Sequence, residues 1–228
     1  MKLLKLIAVL LDYPAEELWA HGDELRAAID DPALSAERLA ALRGFVDELL
    51  ATEPMQAQER WLELFDRGRA MSLLLFEHIH GESRDRGQAM VDLISTYRGH
   101  GFELGVKQLP DYLPVVLEYL SMRPVAEVRD WLGHIGHILE LLAARAQERN
   151  STYAALLEAL VETASGRVDL DLLRKRVASE ERDDTPEAMD RVWEEEAVRF
   201  GVEAPGEDCN PPTRLPSGVK RNEPTVTP

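Results

Sequence analysis

A chain of 228 residues with 45% apolar and 30% charged side chains has enough material for one sizeable core and the make-up of an ordinary soluble domain. Its 42 acids against 26 lysines and arginines leave a net charge of −16, which repels nucleic acid and anionic membrane surfaces and attracts basic peptides or basic protein segments. The one cysteine, Cys209, excludes an internal disulfide and any cysteine-only zinc or iron–sulfur site within one chain, and fits a reducing cytosol.

The opening MKLLKLIAVLL imitates a secretory signal, but Asp12-Tyr13-Pro14 closes the apolar run and no small-residue cleavage site follows, so it reads as a core helix. Nothing later approaches the roughly 20 apolar residues of a membrane span. The expectation is a cytoplasmic chain with no direct membrane insertion. Helical periodicity then marks residues 16–29, a helix after Ser35 with Leu39, Leu42, Val46 and Leu49 on one face, and residues 54–65. Asp85 and Gln88 have capping-box spacing ahead of Met90, Ile94 and Tyr97. Further helices are expected at residues 113–121, 124–148, 152–165, 169–178 and 185–200, with Asn150-Ser151-Thr152 read as a cap rather than a glycan acceptor. The last begins Thr185-Pro186-Glu187, cap then proline then acid, and carries Met189, Val192, Trp193, Ala197 and Phe200 on one face.

Breakers at Asp31-Pro32, Gly99-His100-Gly101, Leu109-Pro110, Arg123-Pro124 and Gly166 give short connections, so sequence neighbours should pack together. Alternating strand patterns are absent. The expected fold is all-α: a compact single-domain bundle of about nine to ten helices over residues 1–200. Residues 201–228 hold six of the thirteen prolines and few large apolar groups, and are expected to form a mobile tail.

No nucleotide-binding or acyl-transfer motif is present, and Gly99-His100-Gly101 lacks the preceding strand that a phosphate loop needs. His78-x-His80, and His134, His137 and Glu140 at successive i, i+3 steps, have ligand-like spacing. No second carboxylate–histidine pair completes a site, so core-edge or solvent-facing histidines are favoured. Residues 180–196 hold nine acids against two arginines. They read as a solvated face or, more sharply, as a collar for a basic ligand beside Trp193 and Phe200. In residues 109–120, LPDYLPVVLEYL, Asp111 is placed to cap the helix that Pro114 helps to start. Leu113, Leu117 and Leu120 form its buried face, leaving Tyr112, Glu118 and Tyr119 less obviously buried.

The most distinctive stretch is residues 63–93, ELFDRGRAMSLLLFEHIHGESRDRGQAMVDL. Four consecutive apolar residues, Leu73-Leu74-Leu75-Phe76, do not suit a surface helix, so the run is walled into a core or covered by a partner. This stretch, Leu10-Leu11-Asp12-Tyr13-Pro14, the 109–120 segment and ERDDTPEAMDRVWEEEAVRF at 181–200 closely resemble the NarJ or delta-subunit family of respiratory nitrate reductase assembly chaperones, within the wider group of helical molybdoenzyme chaperones. The resemblance covers essentially residues 1–200. It implies a chaperone, not an enzyme, that binds the basic N-terminal segment of the apo catalytic subunit in the cytosol. The client is held until iron–sulfur and molybdenum cofactors are inserted and it docks at its membrane anchor. The chaperone holds no cofactor itself, is absent from the finished enzyme, and has molybdenum cofactor biosynthesis proteins as a further partner class.

Carried over by position, the family's His-Gly-Glu-Ser-Arg turn is His80-Gly81-Glu82-Ser83-Arg84 and its helix start is Asp111-Tyr112-Leu113, where relatives commonly have histidine at the middle position. The peptide-binding set implied is Phe76, His78, His80, Glu82, Ser83, Arg84, Arg86, Asp111, Tyr112, Glu118 and Tyr119. The competing readings are a metal-dependent helical enzyme using His134, His137 and Glu140, and a general helix-binding scaffold working through the Leu73 to Phe76 run.

Overall fold

The computed structural model describes residues 1–81, 85–105, 108–165, 170–191 and 194. Among the described residues as far as Val177 there are twelve α-helices: α1 (Lys2–Leu11), α2 (Glu17–Ala20), α3 (Gly22–Ala27), α4 (Ala36–Ala51), α5 (Pro54–Phe65), α6 (Leu75–His80), α7 (Asp85–Gly99), α8 (Leu113–Ser121), α9 (Val125–His134), α10 (Gly136–Glu148), α11 (Ala154–Ser165) and α12 (Leu170–Val177). A 3-10 turn, Arg69–Met71, lies between α5 and α6. Among the described residues there is no strand, and extended pairing is confined to one antiparallel bridge, Leu74 with Tyr112. These helices lie in one unit, Met1–Asp190.

Helix α1 sets the architecture because it is apolar around most of its circumference. Leu3, Leu4, Leu6, Ile7, Ala8, Leu10 and Leu11 are buried, and Lys2, Lys5 and Val9 reach solvent. Such a helix must be surrounded. Helix α8, itself buried at seven positions, lies along it, and α11 touches it from another side. The two run antiparallel: the Met1 ammonium donates to the Ser121 carbonyl, Lys5 pairs with Glu118, and Tyr112 reaches Asp12. Helix α11 is the hub, packing on α1, α4, α9 and α10 through Leu156, Leu157, Ala159 and Leu160, all fully buried.

Aromatic rings tie the remaining helices to this centre. Tyr153 meets Phe45 of α4 at 4.9 Å and Phe65 of α5 at 5.1 Å, Phe65 meets Trp61 at 5.5 Å, and Trp61 meets Tyr13 at 5.5 Å. The pairs are edge-on or tilted, geometries worth about 0.5–1.5 kcal/mol each beyond simple burial. The Trp61 indole N–H donates to Leu11 O at 2.9 Å, so the ring's polar edge is satisfied as its body is buried.

Two expected helices are each divided. Residues 16–29 form α2 and α3, broken at His21 (φ −108°, ψ 21°), and the break lets Gly22 approach α4 so closely that a Cβ would sit 3.0 Å from Leu50. Residues 124–148 form α9 and α10, broken at Ile135 (φ −98°, ψ 6°), where Gly133 and Gly136 flank the joint and weaken helix propagation. The Leu73 to Phe76 run also spans two conformations. Leu73 and Leu74 are extended against Tyr112 and the helix begins at Leu75, so Leu73 and Leu75 are both buried without belonging to one helix face.

The acidic stretch has a structural role. Glu180 pairs with Arg145 at 2.9 Å, and Asp183 and Asp184 pair with Arg149 at 3.1 and 3.3 Å. Asp183 also accepts the Ala70 N–H at 2.6 Å while Arg145 donates to Ala70 O at 2.7 Å, so the two peptide groups that meet at Ala70 in the 3-10 turn are each held. Here these acids are neither a bare solvated face nor a free collar. Beyond them, the Thr185 hydroxyl accepts the Ala188 N–H at 3.2 Å and residues 186–191 are helical, as its cap signal indicated. Val192, Trp193, residues 195–200 and the 201–228 segment lie outside the described residues.

Candidate functional site

Helices α6 and α7 form a short hairpin packed on each other, anchored where the extended Leu73 and Leu74 and the first residue of α6 meet Asp111 to Leu113. Leu75 N–H donates to Asp111 O at 3.0 Å and Leu113 N–H to Leu73 O at 2.8 Å. This pairing redirects Asp111. The sequence placed it as the cap of α8, but Tyr112 occupies that position and offers no side-chain cap. The Asp111 carboxylate instead accepts the Phe76 N–H at 3.1 Å, capping α6, an element 35 residues away. The cap position of α8 falls one residue later than Asp111, and the extended backbone there turns the side chain towards the hairpin.

Asp111 is fully buried. One of its oxygens has no hydrogen-bond partner, and the Arg86 guanidinium stands 3.9 Å from the other. Burial therefore raises the carboxyl pKa above its ordinary value, against the opposing pull of the Phe76 N–H, its own N–H and Arg86. Arg86 is shared with Glu77 at 3.5 Å. His78 donates Nε2–H to Ser72 O at 2.8 Å, which closes the turn before α6, and His80 lies edge-on to Phe76 at 5.4 Å. Gly81 ends α6 at φ +54°, a conformation that favours glycine. Glu82, Ser83 and Arg84 lie outside the described residues. Gln88 bonds Asp92 at 2.8 Å, so its side chain points along α7 instead of back to Asp85 as a capping box requires.

The 109–120 segment brings two tyrosines to different ends of the site. Tyr112, half-buried, donates its hydroxyl to Asp12 at 2.9 Å and so joins the hairpin base to the end of α1; burial pushes its phenol pKa up. Tyr119 is fully buried, correcting the expectation that it stood apart from the buried face, because α8 is covered on nearly all sides. Its ring sits among Tyr97, Phe102 and Trp131, and its hydroxyl meets His100 Nδ1 at 2.8 Å and Glu127 at 3.4 Å. Arg123 grips Glu127 with two hydrogen bonds, of 2.9 and 3.0 Å, and holds its carboxyl below the ordinary range. Glu118 faces outward, paired with Lys5.

The structure therefore brings Phe76, His78, His80, Arg86, Asp111 and Tyr112 together at the hairpin base and leaves Glu118 and Tyr119 further along α8. Also on the hairpin, and not singled out in the sequence, are the exposed apolar side chains Ile79 and Val91. Their apolar character off the expected face was the available signal. The His134, His137 and Glu140 constellation does not form on one helix: the break at Ile135 puts His134 on α9 and the other two on α10. Among the described residues no three His, Cys, Asp or Glu side chains are placed to share a metal ion. No described helix is long and apolar enough to cross a membrane.

Comparison with known proteins places this geometry. The family model described as nitrate reductase delta subunit matches residues 30–159. The chain is 50% identical over 198 residues to the nitrate reductase molybdenum cofactor assembly chaperone NarJ of Escherichia coli K12, covering 86% of this chain and 84% of that protein. It is 46% identical over 202 residues to the probable chaperone NarW of the same strain, covering 88% and 84%. It is 30% identical over 156 residues to a probable NarJ of Bacillus subtilis, covering 68% and 84%. With a family model spanning more than half its length and relatives aligned over most of theirs, the chain belongs to the nitrate reductase delta subunit family.

Proposed function

We propose that the chain is an assembly chaperone for respiratory nitrate reductase. It binds the basic N-terminal segment of the apo catalytic subunit in the cytoplasm and keeps that subunit competent for molybdenum cofactor and iron–sulfur insertion before membrane anchoring. It leaves before the enzyme is complete. The observation that carries this reading is the 50% identity over 86% of the chain to an assembly chaperone of that name. The all-α framework and net charge of −16 support it, since an acidic helical surface receives a basic amphipathic helix without any chemistry.

In this reading the hairpin engages the client. Phe76, His78, His80 and Arg86, with Glu82, Ser83 and Arg84 on the turn, supply contacts; Tyr112 and Glu118 extend them. Asp111 and Tyr119, both buried, act as positioning residues that hold α6 and α8 in place. Molybdenum cofactor biosynthesis proteins are the further partners, residues 1–200 are the working domain, and the 201–228 segment is not needed for client binding.

The test is a strain lacking the chaperone. Nitrate reductase polypeptide that accumulates without molybdenum cofactor, and regains it when this chain is supplied, is the expected result. A fully active enzyme in its absence excludes the reading and leaves a general helix-binding scaffold.

A further inference from the structure

A second apolar face lies where α5 passes the end of α1. Gln58 donates to Pro14 O and Trp61 to Leu11 O, both at 2.9 Å, so α5 runs past that end in the opposite sense. On α5, Met55 and Leu62 are seven residues apart and share one stripe. Met55 is 65% exposed and Leu62 38%; Tyr13, edge-on to Trp61, is 43% exposed. Three of the large exposed apolar side chains thus lie on two adjoining elements, which is not the pattern of singly scattered surface residues.

The charges around this face are mostly negative. Glu16, Glu17, Glu53, Glu59 and Asp66 are exposed, and none is in an ion pair among the described residues. The arginines of this region are already engaged, Arg60 with Glu48 at 3.2 Å and Arg67 with Glu63 at 3.3 Å. At the hairpin, by contrast, Glu77 is partnered by Arg86. The field beside Met55 and Leu62 is therefore acidic.

That field selects the occupant. A second copy of this chain would set the same acids against each other across a symmetric contact, and the chain's own acidic 187–196 stretch has the wrong sign. An anionic membrane is repelled for the same reason. What fits is a basic amphipathic helix whose apolar side covers Met55, Leu62 and Tyr13 while its cations face the acids. The face is also continuous with the hairpin, because Tyr112 pairs with Leu74 through its backbone and with Asp12 through its hydroxyl at 2.9 Å.

We propose that the face formed by Tyr13, Met55 and Leu62 is the apolar seat of a basic amphipathic helix, the N-terminal segment of the client, which runs on from there towards the α6–α7 hairpin. The proposal rests on the chaperone reading for the bearer of that helix and on the geometry for its place.

The experiment titrates the full chain with a synthetic peptide of the catalytic subunit's N-terminal sequence, by calorimetry and Trp fluorescence, at low and moderate salt. Met55→Glu with Leu62→Glu removes the seat at exposed positions. Binding should weaken by at least about tenfold, with far-UV dichroism and thermal unfolding unchanged. Glu16→Gln, Glu17→Gln and Glu59→Gln together leave the apolar side chains intact and should flatten the salt dependence of affinity. Wild-type binding with both variants within about twofold of it places the seat elsewhere and leaves the chaperone reading standing. No binding by the wild-type chain removes the chaperone reading and the seat with it.

Discussion

Gly68→Ala should destabilise the protein only while Asp183 is present. Gly68 has φ −152° and ψ 162°, backbone that any residue adopts, so replacing glycine with alanine here would ordinarily stabilise by about 0.4–1 kcal/mol through the unfolded chain. The added Cβ, however, would lie 2.6 Å from Cγ and Oδ2 of Asp183, and that carboxylate has no slack because it holds Ala70 N–H and Arg149. Pushing it aside loses a charge-assisted hydrogen bond worth about 1.5–3 kcal/mol, leaving a net loss of about 0.5–2.5 kcal/mol after the backbone gain. In an Asp183→Ala background the clash is gone and the same substitution should be neutral or stabilising. Urea denaturation followed by Trp fluorescence, read as a change in midpoint at constant slope, gives the four corners of the cycle. Equal effects of Gly68→Ala in the two backgrounds would refute the idea that the acidic strap and the 3-10 turn are held together by that contact.

Asp111→Asn should alter how stability responds to pH. A carboxyl whose pKa is raised by burial holds its proton in the folded state when the unfolded chain has released it, so Asp111 lowers stability as pH rises from the ordinary carboxylate pKa through its folded value. Asparagine can still accept the Phe76 N–H, and the variant should gain on wild type between pH 4 and pH 7 in urea melts; a constant difference across that range contradicts the assignment. Glu127, held low by Arg123, contributes with the opposite sign: its stabilisation is present above the ordinary carboxylate pKa and fades as pH falls. Truncation after Phe200 should leave client-peptide affinity within about twofold of the full chain, and calorimetry showing a larger loss would bring the 201–228 segment into the binding surface.

Local signals in the sequence were reliable where one helix face and one cap decide the structure. Residues 54–65 and 113–121 begin and end as Pro54 and Pro114 indicate, and Thr185 caps its helix. The misses share a different cause. The joint at Ile135 depends on two flanking glycines that each look tolerable in a helix, and it separates His134 from His137. Asp111 has cap chemistry readable from sequence, but the N–H it caps is set by a long-range backbone pairing. The acids at 180–184 looked like a solvated run because Arg145, Arg149 and Ala70 are remote in sequence, Ala70 by more than a hundred residues from Asp183. Tyr119 was misjudged because a helix covered on nearly all sides has no free face for periodicity to reveal.

The burial of α1 has a consequence for the birth of the molecule. Its most apolar helix is made before the surfaces that cover it: α8 and then α11 follow roughly a hundred residues later and beyond. At bacterial and eukaryotic synthesis rates of about 5–20 residues per second, the Leu3 to Leu11 stripe waits on the order of 5–20 seconds for its partner. Closing that contact joins residues more than a hundred positions apart, which makes the native arrangement of α1 a late event. Until then the nascent chain displays an uncovered apolar helix behind two lysines, the same kind of segment that its own acidic surface is suited to receive.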